Sequence, residues 1–200
     1  MSALNKAIDL SYKEKTRIHA EDPRGPLLFS EDLLTRMLRY DHDFDRPKIL
    51  LCIGTDRSTG DCLGPLVGSK MTAGGSDFFK VYGTLDYPVH ASNLKEKLKE
   101  IQSLYVNPYI IAIDACLGQL DNVGYVSIGE GSLLPGAGVN KDLPPVGQLH
   151  ITGTVNVGGF MEFMVLQNTR LNLVMRLADT IAGGLAMTVA KYGRKMARGW

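Results

Sequence analysis

Two aspartates in this chain each close an apolar run. Asp61 lies in "CIGTDRSTGDCLGPLVG" (residues 52–68), after Gly60 and just before the sequence turns apolar again. Asp114 lies in "IIAIDACL", with apolar residues on both sides. Two carboxylates sharing a partly apolar cleft resist ionising together, so one keeps its proton while the other stays charged. Such a pair can act as general base on a water and as general acid on a leaving amine. With a third ligand, often histidine, it could instead hold a divalent metal. Each acid also has a plainer role available. Aspartate is a favoured helix N-cap, and Asp61 stands where a helix begins. Asp114 needs a partner, because burying a lone carboxylate is costly.

Other residues fall near the same strand ends. Asp56, Arg57, His90 and Lys141 are candidates for positioning substrate or stabilising developing negative charge. Asp86 is of second rank. His90 follows "DYPV" and is equally explained as a loop histidine; His150 is expected to be a satisfied sheet residue, and His19 and His42 are peripheral. Ser58 lacks a GxSxG context and Thr59 has no setting of a nucleophile. Cys62 and Cys116 are expected to be packing residues. The glycines of "IGTDRSTGDCLGP" raise a phosphate-cradle reading, but the spacing is neither GxGxxG nor GK[ST].

The elements that must place these residues alternate between strand and helix. "KILLCIG" (48–54) is a short continuous apolar run, expected as a buried parallel strand. Residues 61–73 can open a helix, with Pro65 confined to its first turn. Strands are expected over 78–85, 109–118 and 148–155, the second with an acid at its carboxyl end, and an alternating strand at or near an edge over 122–131. "SEDLLTRMLRY" has an N-cap candidate in Ser30, and residues 92–105 form the clearest amphipathic helix. Two closing helices follow residue 158, the second with a cap candidate in Thr169. This pattern predicts an α/β fold: three layers, a mostly parallel sheet with helices on both faces. Sites in such sheets lie at the carboxyl ends of the strands, where Asp61 and Asp114 both fall. The long loop 132–147 is a candidate for gripping an extended peptide.

At 200 residues the chain suits one domain, read as an N-terminal arm over 1–26 and a single domain over 27–200. A formal net charge of +1 offers nothing to attract nucleic acid or an anionic membrane. Three cysteines without a CxxC pair suit a reducing cytoplasm. No secretory signal or membrane span is expected. The small residues of "IAGGLAM" suit close helix packing, inside the domain or across a homo-oligomer seam.

"LLCIGTDRSTGDCLGPLVGSK", "IIAIDACLG", "PGAGVNKDLPPVG" and "ITGTVNVGGF" together closely resemble the YyaC family of sporulation proteins, from about residue 48 to about residue 184. That family is similar to the germination protease of endospore-forming bacteria and, more distantly, to the hydrogenase maturation endopeptidases. The resemblance implies a phosphorylase/hydrolase-like α/β fold. "TGDCLGP" parallels the turn around the germination protease's first catalytic aspartate, and "IAIDA" parallels its second, which implies a catalytic pair in Asp61 and Asp114. The maturation endopeptidases bind the nickel of their substrate with these acids and a histidine of the later loop; "NKDLPPVG" has none, so neither metal nor cofactor is expected. A spore protein or peptide is the implied substrate, met in the cytoplasm of the sporulating cell or the spore core. A non-catalytic peptide- or protein-binding role on the same scaffold and a metal-dependent hydrolase with His90 as third ligand stay open beside it.

Overall fold

The computed structural model describes residues 16–40, 46–135 and 143–197. Among these residues six strands form one sheet: β1 (Thr16–His19), β2 (Lys48–Cys52), β3 (Phe79–Tyr82), β4 (Tyr109–Gly118), β5 (Tyr125–Glu130) and β6 (Leu149–Val157). Their order is β1-β5-β6-β4-β2-β3. β3, β2, β4 and β6 run parallel, while β5 pairs antiparallel with β6 and β1 antiparallel with β5. The expected α/β class, mostly parallel with helices on both faces, is the architecture found.

The helices are α1 (Gly25–Tyr40), α2 (Leu63–Ala73), α3 (Leu94–Leu104), α4 (Glu162–Gln167) and α5 (Leu171–Ala197). Phe29 and Leu33 of α1, Leu63 and Val67 of α2, and Leu177 and Ile181 of α5 pack with Leu50, Ile111, Ile113 and Ile151 on one face. On the other, Leu94 and Ile101 of α3 pack with Ile49, Leu51, Ile110 and Ala112. Successive residues of β2 therefore face two apolar layers. That is why "KILLC" is buried at every position and shows no alternation.

Several local expectations change. Thr16–His19, read as part of an arm, is an edge strand of the sheet among the described residues, which leaves β5 one place in. α1 begins at Gly25, five residues before Ser30, which is fully buried inside it. The backbone turns into this helix where the Asp22 carboxylate accepts the Arg24 amide (2.8 Å) and the Asp22 carbonyl accepts the Gly25 amide (2.8 Å). Pro26 then lies in the first turn, where a missing N–H costs nothing. Thr169 does not cap α5: its hydroxyl donates to the Val165 carbonyl (2.8 Å) and accepts from Asn156 Nδ2 (3.2 Å), tying α4 to β6. The span Leu171–Gly193 of α5 is long and apolar enough to cross a membrane, but half of its most apolar window is buried inside the domain. Val174, Leu177, Ala178, Ile181 and Leu185 are taken up by the core.

Candidate active site

Asp114 is not at the end of its strand. β4 continues four residues further to Gly118, paired with β6 through a register shift at Cys116/Leu117. It is β2 that ends here: Cys52 is the last residue of β2 and pairs with Ile113, and Ile53 donates its amide to the Ile113 carbonyl (2.7 Å). Asp114 therefore lies level with the carboxyl end of β2, where the chain turns away into the Gly54–Gly60 loop. That loop returns Asp61 beside it.

The glycines explain how. Gly54 has φ +141°, and a Cβ on it would sit 1.9 Å from the Asp61 carbonyl oxygen. That carbonyl accepts the Thr55 amide (3.0 Å). A Cβ on Gly64 would sit 2.1 Å from the Ile53 carbonyl oxygen, and one on Gly60 would be 2.8 Å from Leu166 Cδ2 and 2.9 Å from Thr169 Oγ1. Each missing side chain admits a neighbouring segment. The space a phosphate would need is filled by protein, so the turn is a close-packed joint rather than an anion cradle. Asp61 is the middle residue of a 3₁₀ turn, Gly60–Cys62, with its amide donating to the Ser58 carbonyl (3.0 Å). The N-cap position of α2 is Cys62, so Asp61 does not have the capping role its place before a helix suggested.

Asp114 is only 7% exposed. Burial pushes its pKa well above the ordinary carboxylate range, and the charge of nearby Asp61 pushes it the same way. The Ala115 amide, donating to Oδ1 at 2.8 Å, opposes both. Asp114 therefore holds a proton at a pH where an exposed aspartate has lost it.

The remaining candidates are arranged less closely. Asp56 and Arg57 are exposed on the turn leading to Asp61. His90 follows Val89, which bridges Ile53 on the β3 side of β2, while Asp114 lies on the β4 side. Its Nδ1 is buried without a hydrogen-bond partner among the described residues. Lys141 and His42 lie outside the described residues, as does much of the long loop. His150 stacks over Gly129, with Nδ1 3.0 Å from the Gly131 carbonyl, a satisfied sheet residue. Among the described residues no three His, Cys, Asp or Glu side chains cluster to hold a metal ion.

Sequence reading missed the surroundings of Asp114. Asp114 pairs with Thr152, and Thr152 with Ser127, so these three line one row across β4, β6 and β5. Cys116 and Thr154 form the next row, their side chains 3.4 Å apart. All but Cys116 are buried. This strip is polar where the same face over β2 is apolar. Its signal was the alternation His150, Thr152, Thr154, Asn156 in a strand treated only as core. Ser58, set aside as a nucleophile for want of a GxSxG context, is buried on the Asp61 loop with its hydroxyl unpartnered among the described residues.

Cys52 and Cys62 are poor nucleophiles. Burial pushes Cys52 up to about 12, and burial raises Cys62 as well, reinforced by the charges of Asp61 and Asp56. Alkylation of the native protein with iodoacetamide at pH 7.5 is expected to label half-buried Cys116 first, and Cys52 only on unfolding, read by peptide mass spectrometry.

Fold and site together define an α/β protein with a buried, proton-holding acid at the centre of its sheet and a second acid on the adjoining strand-to-helix turn. The chain belongs to the family described as Protein of unknown function (DUF1256), whose model matches residues 18–184. It is 60% identical over 143 residues to "Uncharacterized protein YyaC" of Bacillus subtilis (strain 168), covering 72% of this chain and 70% of that protein. Among solved structures, the NiFe hydrogenase maturation protease HycI from Thermococcus kodakarensis KOD1 aligns with a TM-score of 0.49 and 15% identity, over 78% of this chain and 99% of that one.

Proposed function

We propose that the protein is a peptidase working through Asp61 and Asp114, and that its substrate is a spore protein or peptide met in the cytoplasm of the sporulating cell or spore core. The observation that carries this reading is the burial of Asp114, whose pKa is pushed up by that burial and by the charge of nearby Asp61. Ionised Asp61 takes a proton from water as the water oxygen attacks the peptide carbonyl carbon. Asp114 gives its proton to the departing nitrogen as the C–N bond breaks. The proton gained by Asp61 then passes to ionised Asp114, which restores the starting state. Acid–base assistance of this kind contributes about 10²–10⁴-fold. Exposed Arg57, with Lys141, is a candidate to stabilise the negative charge on the carbonyl oxygen, and Asp56 and His90 to orient the substrate.

A second reading, a non-catalytic protein that binds peptide or protein, draws on a different observation. Phe160, Met161, Phe163 and Met164 are all exposed between β6 and the end of α4, and α4 packs on the 3₁₀ turn carrying Asp61. Cleavage of a small acid-soluble spore-protein extract, followed by mass spectrometry, separates the two. Wild type is expected to cut with or without chelator, and Asp61→Asn and Asp114→Asn to cut at least about 10²-fold more slowly. Equal cleavage by all three refutes the acid pair. Folded Asp→Asn proteins that restore function to a deletion strain favour the binding reading.

A further inference from the structure

Among the described residues β3 pairs only with β2, so it forms one edge of the sheet. A cavity of about 540 Å³ lies at the carboxyl end of that edge, bounded also by Asp86, Tyr87 and Val89 of the loop that follows. It is lined by Thr72 and Ala73 of α2, by the four consecutive residues Val81 to Thr84, and by Lys97 of α3. α2 covers one face of the sheet and α3 the other. A cavity walled by both helices and by successive residues of one edge strand wraps round the edge itself.

The backbone of β3 can be oriented from its neighbours. Ile53 donates its amide to Ile113 of β4, whereas the next residue, Gly54, donates to Val89 on the opposite side. Along a parallel strand the peptide groups alternate in this way, so Leu50 and Cys52 face β3. Leu50 pairs with Val81, and the slanted bonds of a parallel ladder then run from Leu50 to Lys80 and Tyr82. Phe79 and Val81 are left with N–H and C=O turned to the outer edge; Phe79 is buried, and Val81 lies beside the cavity. An extended backbone matches the outward donor and acceptor of Val81.

We infer that the β3 edge and its cavity form a binding site for an extended peptide, added as a seventh strand beside Val81, with apolar side chains directed into the space between Ala73 and Tyr82. Main-chain bonds supply the affinity and the cavity selects the side chain. The site stands independently of the acid pair.

The test uses the full chain carrying Asp61→Asn, so that cleavage does not consume the probe and neither reading depends on the other. The probes are fluorescein-labelled octapeptides alternating Val or Tyr with Ser, and the same peptides N-methylated at alternate peptide nitrogens. Anisotropy is expected to show binding by the first set and a loss of about tenfold or more in the second, with amide shifts concentrated at residues 79–84. Val81→Pro removes only an outward N–H, which an edge strand tolerates. It is expected to stay folded by circular dichroism and to bind at least about tenfold more weakly, while Val81→Thr binds normally. Undiminished binding of N-methylated peptides, or amide shifts confined to another surface, overturns the assignment. So does a wild-type dimer that Val81→Pro converts to monomer, because the edge would then belong to a second copy. If Val81→Pro fails to fold, the N-methyl comparison decides alone.

Discussion

Asp114→Asn protein is expected to be more stable than wild type at pH 8 and to lack the peptidase activity proposed above. The sign follows from linkage. Burial and the charge of Asp61 raise the folded-state pKa of Asp114, whereas in the unfolded chain it titrates near the ordinary value of about 3.9. Below about pH 4 both states hold the proton, and the folded state's preference for it is fully present as stability. As pH rises, the unfolded chain releases its proton first. Stability then falls by up to about 1.4 kcal/mol per pH unit until Asp114 itself ionises, and it is level above that. Asparagine carries no proton to lose, and its Oδ1 can still accept from the Ala115 amide. The stability difference between mutant and wild type should therefore be small near pH 4, grow with pH, and reach a plateau above the pKa of Asp114. Urea melts from pH 4 to 9 measure it. A mutant no more stable than wild type at pH 8 would refute the buried-acid account. Activity should fall over the same upper range, because ionised Asp114 has no proton to give the leaving nitrogen.

This asymmetry between the acids was only half legible in the sequence. Their ranking above other acids came from the apolar runs around them, a local signal. "KILLCIG" and "IIAIDA" announce buried parallel strands because both faces of such strands are covered. "TRIH" announces nothing: Thr16–His19 is short and half polar, and it is a strand because β5, more than a hundred residues later, supplies its hydrogen-bonding partner. Arg36 is similar. It looks like a surface residue of an amphipathic helix, yet it is 2% exposed because Asp32 (2.9 Å) and Glu130 of β5 (3.0 Å) hold its guanidinium. The polar strip behind Asp114 was hidden for the same reason. Thr152 and Ser127 become neighbours of Asp114 only through strand pairing. Periodicity shows which residues share a face; pairing across the sheet decides which of them meet.

The glycine turn makes the complementary case, where residue type was visible but its purpose was not, and it carries the largest expected loss of stability. Gly64→Ala places a methyl 2.1 Å from the Ile53 carbonyl oxygen and 2.7 Å from the Ile53 nitrogen. Both are backbone atoms of a segment held by the sheet, so no side chain can swing aside. Overpacking against yielding neighbours costs about 1–3 kcal/mol, and here the backbone must move, so a loss of about 3 kcal/mol or more is expected in urea melts. Gly54→Ala adds conformational strain at φ +141° to a contact of 1.9 Å with the Asp61 carbonyl oxygen. It strains the Thr55–Asp61 backbone bond directly, so residual folded protein should cleave far more slowly than its folded fraction accounts for. Gly193→Ala is the control. Gly193 lies in α5 and an added Cβ meets nothing within 4 Å, so alanine should stabilise by up to about 1 kcal/mol through helix propensity alone. If Gly64→Ala were as benign as Gly193→Ala, β2 and α2 could not be joined as closely as described, and the joint that brings Asp61 to Asp114 would have to be abandoned.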